Sequence, residues 1–95
     1  MSFVLIRHKI ADYTKWKRVV NAATDFRKVN GELSFAAFRG SDDPNDVTVI
    51  CEWSSAAKAR KFVGSTELRK RMKEGGVVGK PQIQFFRKAE DLSVS

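Results

Sequence analysis

The chain has 95 residues, of which 42% are hydrophobic, and its 18 Lys and Arg against 11 Asp and Glu give a formal net charge of +7. Because compact domains usually contain about 50 to 250 residues, we expect one domain over residues 1–95. The composition excludes an intramolecular disulfide, since there is one cysteine, and a membrane-spanning helix, since no apolar run approaches the roughly 20 residues required.

The first predicted elements are a strand and an amphipathic helix. Phe3 to Lys9 is rich in β-forming residues and apolar at both odd and even positions, which is typical of a central strand covered on both faces. Asp12 is a suitable N-cap for a helix that ends at Asn30-Gly31. Its apolar residues recur at three- and four-residue steps, at Tyr13, Trp16, Val19, Val20, Ala23, Phe26 and Val29.

A β-hairpin is predicted next. Leu33 to Arg39 and Val47 to Trp53 both contain alternating strand-forming residues. Between them, Gly40 to Asp46 holds the Gly, Ser, Asp, Pro and Asn residues that form turns. The two strands are therefore expected to pair in an antiparallel arrangement.

Two short helices and a last strand complete the chain. Ser54 and Ser55 can cap a helix that runs to Val63, and a second short helix follows Gly64-Ser65 and stops at Gly75-Gly76. The last strand is predicted over Gln82 to Arg87, and we expect a loose tail from about residue 88 to residue 95.

The order β-α-β-β-α-α-β predicts an α+β fold of the ferredoxin-like type, in which a four-stranded antiparallel sheet carries its helices on one face. The strands are also apolar on the face that the helices leave free, so that face requires a cover. A second copy of the chain, related by a two-fold axis, is the simplest cover, and we expect a homodimer that forms an α+β barrel.

Three segments resemble the dimeric α+β barrel superfamily that includes the antibiotic-biosynthesis monooxygenase-like proteins. They are His8 to Trp16, Asp42 to Asn45 followed by Val49 to Trp53, and Ser65 to Leu68 with Gly76 to Gly79. The resemblance covers about Phe3 to Phe86. It implies a pocket between sheet and helices. The characterised relatives include cofactor-free monooxygenases of aromatic substrates and haem-degrading enzymes. The Asn, Trp and His set of the haem-degrading relatives does not map onto this chain, so no cofactor is expected.

His8 is the candidate catalytic residue. It is the only histidine, it ends the first strand on the parity of Val4 and Ile6, and imidazole exchanges protons near neutral pH. The structural alternative is a histidine that binds a loop carbonyl at the exit of the strand. No Cys or His spacing resembles a metal site, and Cys51, in a strand without a nearby histidine, is expected to be an inert buried thiol.

Trp53, Arg39 and Glu52 are the candidate ligand-binding residues. Trp53 can form an aromatic wall of an apolar pocket, or belong to the core or a dimer contact. Arg39 and Glu52 are charged residues on partly apolar strands, where a charge is costly unless it is paired or lies at a rim. They can orient a ligand or form an ion pair between subunits.

These observations leave two functional hypotheses. The first is a cytoplasmic small-molecule pocket protein, of the cofactor-independent monooxygenase type, that acts on an apolar or aromatic compound. The alternative is a non-catalytic homodimeric binding or accessory module. Nucleic-acid binding is disfavoured because the third strand, Val47 to Trp53, lacks the Gly and aromatic pattern of RNA-recognition modules.

Overall fold

The structure, a computed structural model, describes residues 2–94. These residues form four strands and four helices, in the order β1 (Ser2–Ile10), α1 (Tyr13–Ala22), α2 (Thr24–Val29), β2 (Glu32–Arg39), β3 (Asp46–Trp53), α3 (Ala56–Val63), α4 (Thr66–Glu74) and β4 (Val77–Arg87). The strands build one antiparallel sheet with the order β2-β3-β1-β4. The predicted ferredoxin-like α+β fold is confirmed.

The long first helix of the prediction is divided into α1 and α2 at Ala23. The amide of Ala23 donates to the carbonyls of both Val19 and Val20, which closes the last turn of α1. The guanidinium of Arg27 donates from Nη1 to the same Val20 carbonyl at 2.7 Å. This side-chain bond bridges the two helices where the backbone ladder is interrupted.

Polar caps and glycines set the ends of the helices. Asp12, Ser55 and Ser65 accept hydrogen bonds from the first turns of α1, α3 and α4. Gly31 follows α2 with φ +111°, and Gly76 follows α4 with φ +78°, conformations that residues with a Cβ rarely adopt. The chain therefore reverses sharply into β2 and β4.

The last strand starts earlier than predicted, at Val77 instead of Gln82. Val77 and Val78 pair with Ile10 and Lys9, and the ladder is irregular between Arg7 and Lys9. Because β4 is an edge strand, Pro81 is tolerated within it. The irregularity lies beside His8, and such bulges redirect side chains at functional sites.

The core lies between the sheet and the helices. Val4, Ile6, Val47 and Val49 of the two central strands point to the helices and are buried. Trp16 of α1, together with Ala59 and Phe62 of α3, packs against them.

The opposite face of the sheet carries no helix among the described elements, and it bears apolar side chains at its centre and edges. Leu5, opposite Ile50, and Ile50, opposite Ala36, lie in its middle. Phe38, Ile50 and Phe86 are exposed. Residues 88–94 form no helix or strand.

Candidate functional site

A cavity of about 70 Å³ lies between the sheet and the helices. Most of its wall is apolar, and much of it is contributed by Ile6, Trp16, Phe26, Phe35, Phe62 and Met72. Four side chains with nitrogen or oxygen atoms also line it: His8, Arg27, Glu32 and Arg71. An apolar space with a few polar groups is the usual composition of a small-molecule site.

His8 reaches the cavity because it continues the helix-facing parity of β1 after Val4 and Ile6. Its side chain is buried, with its ring centroid 5.8 Å from that of Trp16. Neither Nδ1 nor Nε2 has a hydrogen-bond partner within residues 2–94. Burial lowers the pKa of His8 below its ordinary value, and the negative charge of Asp46 opposes this only in part. The neutral imidazole, which can accept a proton, is therefore favoured.

Arg27 and Glu32 form a second polar group in the wall of the cavity. Arg27 Nε donates to Glu32 Oε1 at 2.9 Å, and the two side chains are only 9% and 8% exposed. The guanidinium also lies 4.5 Å from the centre of the Phe35 ring. Burial raises the pKa of Glu32, whereas the hydrogen bond and charge of Arg27 act in the opposite direction.

Neither Arg27 nor Glu32 was among the site residues predicted from the sequence. Arg27 lies four residues after Ala23 and seven after Val20, so the period of the amphipathic helix places it on the buried stripe. A charge on that stripe requires a partner. Glu32 starts the next strand directly after the Asn30-Gly31 turn, and it is the nearest acidic residue that follows. The helical period of the apolar residues could therefore have identified this pair from the sequence.

Trp53, a predicted wall residue, is 0% exposed and belongs to the core. Its ring centroid lies 4.6 Å from that of Phe62, and its Nε1 donates to Cys51 Sγ at 3.3 Å. Phe62 and Cys51 are among the residues that line the cavity, whereas Trp53 contacts them without lining it.

Arg39 and Glu52 lie on opposite faces of the sheet. Arg39 is on the helix side, where its guanidinium stacks 4.0 Å from the centre of the Tyr13 ring and Nε donates to the Pro44 carbonyl at 2.8 Å. Glu52 is on the open face, opposite Phe3, and its Oε2 is buried with no hydrogen-bond partner in the described part of the chain. Of the four predicted site residues, the cavity wall thus contains His8.

Cys51 also lines the cavity, from β3, the strand that lies between β1 and β2. It is buried, and burial raises the pKa of its thiol to about 11. The thiol form therefore dominates at neutral pH, in agreement with the inert role expected from the sequence.

Two further properties of residues 2–94 bear on the class of site. They contain no group of three or more His, Cys, Asp or Glu side chains that could hold a metal ion. No helix among them is both long and apolar enough to cross a membrane.

No protein-family model matches the sequence, and no curated protein matches it. Solved structures, in contrast, define its structural class. The fold is that of the antibiotic biosynthesis monooxygenase-like proteins, which agrees with the resemblance found in the sequence.

Three solved structures illustrate this similarity. A monooxygenase from Streptomyces coelicolor, ActVA-Orf6 in complex with the ligand nanaomycin D, has 21% identity, with 99% of this chain and 92% of that chain covered and a TM-score of 0.70. SnoaB, a cofactor-independent oxygenase from Streptomyces nogalater, has 14% identity, coverage of 96% and 94%, and a TM-score of 0.74. Rv0793 from Mycobacterium tuberculosis has 13% identity, coverage of 97% and 98%, and a TM-score of 0.70. At these identities the likeness shows the shared fold.

Proposed function

We propose that the protein is a cofactor-independent monooxygenase that oxidises a small apolar or aromatic compound in the cavity between sheet and helices. The single observation that carries this proposal is the largely apolar cavity lined by His8, whose two buried ring nitrogens have no partners among the described residues. The shared fold with SnoaB and ActVA-Orf6 supports it.

In a cofactor-independent oxygenation the organic substrate itself must supply the electrons to dioxygen. Loss of a proton makes a phenol a better electron donor. The ring then supplies all four electrons to dioxygen: one oxygen atom enters the product as a quinone carbonyl, and the other leaves as water with the phenolic hydrogen and the ring hydrogen that was replaced. The neutral form of His8, which its burial favours, can accept that proton. The apolar wall offers few hydrogen-bond partners to water at the reacting centre.

The size of the cavity bears on how a substrate enters. Its volume of about 70 Å³ is smaller than the roughly 150 Å³ of an engineered protein cavity that binds benzene. An aromatic ring therefore requires the wall to move. Leu68 and Met72 of α4 are only partly buried, and methionine is flexible, so this part of the wall is the one we expect to yield.

The experiment that tests this function measures oxygen consumption with a panel of one-ring and two-ring phenols. We expect protein-dependent uptake with at least one of them, and a fall of about 10²- to 10⁴-fold in kcat for His8→Ala, as for loss of a general base. Added imidazole should restore part of the rate in His8→Ala. Unchanged turnover in that variant would remove His8 from the mechanism.

The second candidate is a non-catalytic binding or accessory module. The small volume of the cavity, about 70 Å³, is the observation that favours it. Binding of a phenol without any oxygen uptake would support this alternative over the enzyme.

We further propose that the protein acts in the cytoplasm as a homodimer in which the open faces of two sheets cover one another. The exposed Phe38, Ile50 and Phe86 support this arrangement, since several large apolar side chains on one sheet face are unfavourable in water. Glu52 Oε2, buried on that face without a partner in residues 2–94, would then accept a donor from the second subunit.

A further inference from the structure

Glu32 has one oxygen in use and one free within the described chain. Oε1 accepts the hydrogen bond from Arg27 Nε at 2.9 Å. Oε2 is buried and has no hydrogen-bond partner in residues 2–94, although the residue lines the cavity. A buried polar atom without a partner is destabilising, and a charged one more so, so native proteins rarely keep one without a use.

The other contacts of Arg27 keep the carboxylate of Glu32 in position. Arg27 Nη1 donates to the Val20 carbonyl at 2.7 Å, and Nη2 lies 3.5 Å from Thr24 Oγ1. One face of the guanidinium packs on Phe35. Each nitrogen of the guanidinium thus has its own acceptor, and Oε2 of Glu32 is left without a bond in residues 2–94. Because Oε2 is buried, a ligand reaches it when the wall moves, as the entry of an aromatic ring requires.

We propose that Glu32 Oε2 accepts a hydrogen bond from the compound bound in the cavity, so that the site selects neutral molecules that carry an O–H or N–H group on an apolar ring. This inference deepens the proposed function, because it concerns the same cavity, but it requires only binding and not turnover. Glu32 is a specificity-determining residue in this proposal, and Arg27 is its positioning residue.

The site should reject two related classes of compound. An isosteric hydrocarbon cannot donate to Oε2, and a site built for a donor binds such an analogue much more weakly because its polar group stays unpaired. An aromatic carboxylate would bring a second negative charge beside Glu32, at low dielectric, where repulsion between like charges is strong. Arg71, the other cation that lines the cavity, already pairs with Glu67 Oε1 at 2.9 Å.

Three fluorinated probes of nearly equal ring size test the selectivity by ¹⁹F NMR titration: 4-fluorophenol, 4-fluorotoluene and 4-fluorobenzoate. We expect the dissociation constant of 4-fluorophenol to be at least about tenfold lower than those of the other two, which corresponds to about 1.4 kcal/mol. Equal binding of 4-fluorophenol and 4-fluorotoluene, or no binding of 4-fluorophenol at millimolar concentration, would overturn the proposal.

A double variant assigns the selectivity to this pair. Arg27→Met with Glu32→Leu replaces both charges by apolar groups of similar volume, a change that buried ion pairs often tolerate. We expect this variant to lose the preference for 4-fluorophenol and to favour 4-fluorotoluene. Lys88→Met with Asp91→Leu removes an exposed ion pair of similar length, 3.0 Å, outside the cavity, and should keep the preference. A preference that persists in the cavity variant would contradict the assignment.

The outcome also separates this inference from the oxygenase proposal. Selective binding of 4-fluorophenol without oxygen uptake by any phenol would leave the role of Glu32 intact and remove the enzyme. Oxygen uptake together with equal binding of the phenol and the hydrocarbon would support the enzyme and remove the role of Glu32.

Discussion

Removal of Glu32 alone should destabilise the fold far more than removal of Glu32 and Arg27 together. In Glu32→Leu, the contacts that remain to the guanidinium of Arg27 within residues 2–94 are the Val20 carbonyl, the distant Thr24 hydroxyl and the Phe35 ring. The two side chains of the pair are 9% and 8% exposed, so solvent hardly screens the charge that is left. Breaking a buried pair from one side typically costs about 3 to 5 kcal/mol.

The assay is urea unfolding followed by tryptophan fluorescence, at one protomer concentration for all variants because assembly shifts apparent stability. Thermal unfolding of the same samples gives a second measure: for a chain of 95 residues, an unfolding entropy of about 0.2 kcal/mol/K converts this loss into a fall of about 15 to 25 °C in Tm. Arg27→Met/Glu32→Leu should lie within about 1 kcal/mol of the wild type or above it. A Glu32→Leu variant within 1 kcal/mol of the wild type would refute the reasoning, because the charge of Arg27 would then be adequately solvated without its partner.

Three further predictions concern His8, Cys51 and the open sheet face. The imidazole of His8 should titrate in NMR below its ordinary pKa of about 6.5, because burial lowers its pKa in the folded state. The contribution of His8 to stability is therefore present above about pH 6.5 and is lost as the pH falls through the folded-state pKa, and His8→Gln should abolish this pH dependence. Cys51, with a thiol pKa raised to about 11, should resist alkylation at pH 8 in the native protein and react readily in urea; rapid native labelling would contradict its burial. Ile50→Asp should convert the dimer into a monomer in size-exclusion chromatography with light scattering, whereas Val29→Asp, at a position 85% exposed on α2, should not; a wild-type monomer would exclude the proposed dimer.

The order of elements could be predicted from local patterns. Apolar residues on both parities of β1, the three- and four-residue steps after Asp12 and the turn between Gly40 and Asp46 each define an element within a short window. Two boundaries were wrong for a tertiary reason. The first helix is divided at Ala23, where Arg27 Nη1 donates to the Val20 carbonyl, and pairing with Ile10 and Lys9 extends β4 back to Val77.

The candidate site could be predicted only in part. Strand parity alone brings His8 to the helix-facing side of the sheet, so its position at the cavity follows from the sequence. Arg39 and Glu52 were grouped because both lie on partly apolar strands, but the antiparallel register places them on opposite faces. Trp53 has the expected parity, yet it packs on Phe62, which lines the cavity, and is not itself among the lining residues.

By itself, the sequence determined which segments form strands and helices, which residues of one strand share a face, and that both faces of the sheet carry apolar side chains. These are properties of periods of two and of about 3.6 residues, which a short stretch of chain carries without help from distant residues. Only the tertiary structure decided that Arg27 meets Glu32 beside the cavity and that Oε2 and both nitrogens of His8 are left without partners in residues 2–94. Such contacts join side chains on different elements, and their geometry depends on how the helices pack on the sheet.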